Sequence, residues 1–130
     1  MSSIETRLQN AKSLFESGAS QEARIILLEV LKEEANQPTA LLMLGGAYFY
    51  EKMYAEAQLV YERLMNSEPG SGLISIALFN SLWRQGKHEE AAAEISRFIS
   101  AADRVQELET LKQYAAISKA IAEGAYSSDA

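Results

Sequence analysis

Apolar residues recur along this chain at helical spacing. Leu41, Leu44, Gly45 and Tyr48 follow the i, i+3, i+4, i+7 pattern of one helix face. Ala57, Tyr61, Leu64 and Met65 share another helical face, and Ala23, Leu27, Val30 and Leu31 repeat their order, as do Ala91, Ile95, Phe98 and Ile99. Three short segments beginning at Gly18, Lys52 and Gly86 interrupt these stretches and align with one another. The pair Glu-Ala recurs at 22–23, 56–57 and 90–91, a spacing of 34 both times. The pattern predicts turns near 18, 52 and 86, each separating two helices. Glycine at two of the three turns suits a helix that stops at positive φ. Alanine early in each second helix lets two helices cross closely.

Two stretches stand apart. From Val105 to Glu123, Leu108, Leu111, Ala115, Ile117, Ala120 and Ile121 alternate with Gln106, Glu109, Lys112 and Lys119. This predicts a seventh, amphipathic helix that caps the open end of the repeats, stopped by Gly124 and followed by a frayed tail. The segment 23–35 is apolar almost all round. Ile25, Ile26 and Leu28 are therefore candidates for a second contact patch, serving dimerisation, or for extra packing against the adjacent repeat.

A 34-residue helix-turn-helix period resembles the tetratricopeptide repeat family. The second repeat resembles it most, with Leu44-Gly45, Tyr48, Tyr54, Glu56-Ala57, Tyr61 and Pro69 where that family has them. The first repeat departs at Asn10-Ala11 and Ala35, and the third has Leu78-Phe79 and no closing proline. The resemblance implies an all-α fold: repeats at about 4–37, 38–71 and 72–105, a capping helix at about 105–123, and a tail at 124–130. These form a single domain, 1–130, wound as a right-handed superhelical solenoid. It also implies that the first helices line a concave groove. On the 34-residue lattice, Phe15, Phe49 and Trp83 share one column and Leu8, Leu42 and Ile76 another. The expected groove thus holds these six residues, flanked by Lys12, Tyr50, Asn80 and Arg84, with Glu5 and Glu16 near its N-terminal end. Gly46 leaves a dip in its floor. The plainer alternative is that these residues are core, or that the chain fills its own groove. Some family members grip a terminal carboxylate here, but Leu8, Lys12, Met43, Leu73 and Ala77 hold those positions, and only Lys12 suits the task.

Charge narrows the partner. Eighteen acidic and twelve basic residues give a net charge of −6. An acidic surface without a Lys/Arg cluster disfavours nucleic acid and favours a basic or apolar protein surface. No apolar run approaches the roughly 20 residues of a membrane span, and the first residues do not read as a secretory signal. The absence of cysteine fits a reducing, cytoplasmic setting and removes thiolate chemistry. His88 falls in a turn column with Ser20 and Tyr54, where packing is the expected role. Glu33-Glu34 and Glu89-Glu90 point about 100° apart on a helix and do not converge. Pro38 and Pro69, 31 residues apart, read as punctuation at the ends of apolar stretches. No nucleophile–base pair, metal cluster or cofactor motif is seen. The expected function is a non-enzymatic adaptor or chaperone that binds an apolar helix or peptide of a partner protein. The alternatives are an inhibitor or immunity-type protein that masks a toxin or enzyme through its acidic surface, and a structural homo-oligomeric subunit such as a homodimer.

Overall fold

The computed structural model describes residues 3–126, and the expected tail at 127–130 lies outside them. Among the described residues there are seven α-helices and no strand. They are α1 (Ile4–Glu16), α2 (Ser20–Glu33), α3 (Pro38–Tyr50), α4 (Tyr54–Met65), α5 (Gly72–Arg84), α6 (His88–Ala101) and α7 (Leu108–Ala122). The first helices start at residues 4, 38 and 72, and the second at 20, 54 and 88. The chain divides into two compact units, Met1–Leu64 and Met65–Ala130, so the division falls at the end of α4.

The helix ends explain the period. Ser3, Gln37 and Ser71 each lie just before a first helix, and each side-chain oxygen accepts the backbone N–H three residues on. This satisfies one of the donors that every helix N-terminus leaves open. The exits also repeat. Ala19, Met53 and Lys87 donate back to the carbonyls of Leu14, Tyr48 and Leu82, while Gly18, Lys52 and Gly86 donate to Phe15, Phe49 and Trp83. These bonds require a left-handed residue at 18, 52 and 86, and the φ values there are 89°, 62° and 78°. Lys52 adopts this conformation with a Cβ, which costs energy that glycine avoids. Pro38 opens α3 instead of closing the stretch before it, because the first helical position needs no N–H donor.

In the first unit, Ala11, Ala23, Leu27, Val30, Ala40 and Leu44 form a closed core. Ala57 is fully buried as well. A Cβ added at Gly45 would lie 2.5 Å from the Tyr61 ring, so α3 accepts that ring only because residue 45 is glycine. Burial pushes the Tyr61 hydroxyl up to about 12. Arg24 forks onto Glu51 at 3.1 Å and lies over the Tyr48 ring. The hydrogen bond to Glu51 raises the Arg24 pKa further.

In the second unit, Ile74, Leu78, Phe79, Leu82, Ala91, Ile95 and Phe98 are buried. Here α7 packs on α5 and α6, and of its expected face Leu111, Ile117, Ala120 and Ile121 are half-buried. Leu108 and Ala115 are exposed, and Tyr114 is fully buried. The inward line is Tyr114, Ile117 and Ile121, spaced i, i+3, i+7. The helix begins at Leu108 because Asp103 holds residues 105–107 in a turn, its Oδ1 accepting from the N–H groups of Val105 and Gln106. Those bonds lower the Asp103 pKa.

Candidate functional site

Within the first unit, α1 and α3 border an open groove of about 470 Å³. Lys12, Phe15 and Glu16 come from α1, and Leu42, Met43 and Gly46 from α3. A second hollow of about 480 Å³, lined by Leu8, Glu5 and Glu34 among others, shares Lys12, Thr39 and Met43 with the first. The two therefore lie side by side along α1. The helical period brings these side chains together: Leu8, Lys12 and Phe15 are spaced i, i+4, i+7, and Leu42 and Gly46 i, i+4. A Cβ at Gly46 would meet only Phe15 Cζ, at 3.9 Å. The floor is thus open there, whereas the neighbouring Gly45 is closed by Tyr61.

Not every expected lining residue is bare. Leu8 and Phe15 are half-buried and pack on the core below. Phe49 is half-buried, its ring edge-on to Tyr54 at 5.0 Å. Tyr50 is 67% exposed, with Phe15 edge-on at 6.1 Å, which makes it the most accessible aromatic of this unit. Lys12 is exposed.

The other four candidates lie in the second unit. Ile76, Asn80, Trp83 and Arg84 are all half-buried on α5. Trp83 stacks on His88 at 3.9 Å, with Phe79 at 5.8 Å and Tyr126 at 4.9 Å. Phe49 with Tyr54 and Trp83 with His88 are the same lattice pair one repeat apart, so His88 takes a packing place. Burial raises the Tyr126 pKa.

On α2, Ile25 is 62% exposed and with Leu28 edges a hollow of about 410 Å³. Ile26 does not belong to this patch. It sits about 100° around the helix and packs on the core.

The sequence reading missed a buried polar cluster in the second unit. The hydroxyls of Tyr114 and Ser75 are 2.7 Å apart, and Ser75 donates to Glu94 at 2.6 Å. Arg97 grips both Glu94 oxygens at 2.7 Å and donates to the Pro69 carbonyl at 2.8 Å. The hydrogen bond to Glu94 raises the Arg97 pKa, and burial raises that of Tyr114. Nearby, Glu107 accepts the Gly72 N–H at 2.7 Å. A Cβ at Gly72 would come within 2.8 Å of Thr110 Cβ. Each of these polar residues is unremarkable alone on a helical wheel, and only Glu94 and Ser75 at buried-face spacing on α6 and α5 hinted at pairing.

Residues 39–71 match the family model described as Tetratricopeptide repeat. That stretch is similar to one tetratricopeptide repeat. The matched stretch takes in α3, α4 and the loop after them, and so includes Leu42, Met43 and Gly46 of the groove. No curated protein matches the chain. Tetratricopeptide repeats generally mediate protein–protein interaction. Among the described residues, no group of three or more His, Asp or Glu side chains is placed to hold a metal ion, and no helix is long and apolar enough to cross a membrane.

Proposed function

We propose that this chain is a tetratricopeptide-repeat protein and acts as a non-enzymatic adaptor or chaperone that holds an apolar helix or peptide of a partner protein. The observation that carries the reading is the α1–α3 groove, walled by Phe15, Leu42 and Met43 and floored by Gly46. An apolar hollow with few polar groups suits an inserted apolar side chain. The lack of cysteine fits action in the cytoplasm. Gly46→Leu tests the proposal, because it puts a large side chain into the groove from a position where a Cβ makes only an ordinary contact with Phe15 Cζ. The variant should keep its circular dichroism spectrum and melting temperature while losing the partner that wild-type protein captures. Retention of that partner would refute the groove as its site.

The exposure of Ile25 and Leu28 supports a second reading, self-association through α2. Sedimentation of wild type and Ile25→Glu tests it. A monomeric wild type would refute it.

A further inference from the structure

We infer that the occupant of the α1–α3 trough is an amphipathic helix of about three turns whose apolar face is flanked by Lys or Arg. This rests on the groove reading above and adds the chemistry of the ligand. The length follows from the trough, which α1 lines from Glu5 to Glu16. At a rise of 1.5 Å per residue that span is roughly 16 Å, or three helical turns.

The flanks follow from charge. Glu5 and Glu34 edge one end of the trough and Glu16 the other, and all three are exposed. Among the described residues none of the three is in an ion pair. Three other acids of the same unit are paired: Glu33 with Arg7, Glu29 with Lys32 and Glu51 with Arg24. Among the described residues Lys12 is the one cation lining the trough, where the two hollows share a wall. Three carboxylates against one ammonium leave the rim negative, in a protein whose net charge is −6. Such a rim attracts a basic segment and repels an acidic one. The walls between supply apolar contact for its other face.

The test uses the full chain and three fluorescein-labelled helical peptides of about 14 residues. They share one Leu-rich face and carry Lys, Gln or Glu at the flanking positions. Binding is followed by fluorescence anisotropy at low salt. The Lys peptide should bind about tenfold tighter than the Glu peptide, and this preference should shrink as salt rises. The combined variant Glu5→Gln, Glu16→Gln, Glu34→Gln should reduce the preference to roughly threefold or less. Gly46→Leu should abolish binding of the Lys peptide. If all three peptides bind equally and Gly46→Leu blocks them, the groove reading stands and the basic-flank inference falls. A preference that survives the triple variant overturns the inference too, since charge elsewhere would then be responsible. Binding that persists in Gly46→Leu, or no binding by any peptide, overturns both.

Discussion

Gly45 and Gly46 are neighbours in one helix, yet replacing each by alanine should move stability in opposite directions. At Gly45 the new methyl would lie 2.5 Å from Tyr61 Cε1 and 2.6 Å from Cζ. Carbon atoms pack best at about 3.5–4.0 Å, so the overlap is on the order of 1 Å. Tyr61 is only 5% exposed and cannot swing away without disturbing its neighbours. Overpacking of this kind costs about 1–3 kcal/mol. The gain from replacing glycine inside a helix, about 0.5–1 kcal/mol, offsets part of it. Gly45→Ala should therefore lose roughly 1–2 kcal/mol. At Gly46 the methyl meets Phe15 Cζ at 3.9 Å, an ordinary contact. Only the helical gain remains, so Gly46→Ala should gain about 0.5–1 kcal/mol. Urea denaturation followed by far-ultraviolet circular dichroism measures both. A raised midpoint for Gly45→Ala would refute the packing of Tyr61 against α3, and a lowered one for Gly46→Ala would refute the openness of the groove floor.

Lys52→Gly should stabilise the chain by about 0.5–1 kcal/mol, because φ of 62° strains a side chain that glycine lacks; an unchanged melting temperature would show no strain there. Tyr114→Phe removes the hydroxyl next to Ser75 and should cost about 1–2 kcal/mol, read as a lower urea midpoint. Burial raises the Tyr61 pKa from 10.0 to about 12, so the neutral ring favours the folded state. That contribution is full below pH 10 and is lost as pH rises toward 12. Stability should fall over this window, and Tyr61→Phe should flatten the fall; an identical alkaline profile in the variant would refute the assignment.

The repeat lattice was legible because it is written in residues whose physics is local. A glycine at 18 or 86 marks a left-handed exit whatever surrounds it, and Ala23, Ala57 and Ala91 mark close crossings by their size. Lys52 shows the limit, since only the lattice, not the residue, placed a turn there. Much of the candidate groove followed from the same lattice: Lys12, Phe15, Leu42 and Gly46 were expected together, and one hollow holds them. The seating of α7 was legible only in part. A count of aliphatic residues favoured Leu108 and Ala115, but the buried anchor is Tyr114, whose hydroxyl needs Ser75 as a partner 39 residues away. No helical pattern within α7 carries that information. The packing partners of the aromatic column escaped notice for the same reason. Phe49 meets Tyr54 and Trp83 meets His88 across a turn, so each ring gives part of its surface to its own unit.

The arginines at 63 and 97 bear on which positions of the lattice need a particular residue. Arg63 donates to the carbonyl of Ala35, and Arg97 to the carbonyl of Pro69, at the same step of the lattice. The acceptor in both cases is main chain. An alanine serves it as well as a proline, because every residue carries that oxygen. The two ends of the fastening therefore place unequal demands on the sequence. The donor has to be a side chain with arginine's reach, while the receiving position can be any residue. A 34-residue unit that carries the arginine can therefore make this bond to whatever residue closes the unit before it.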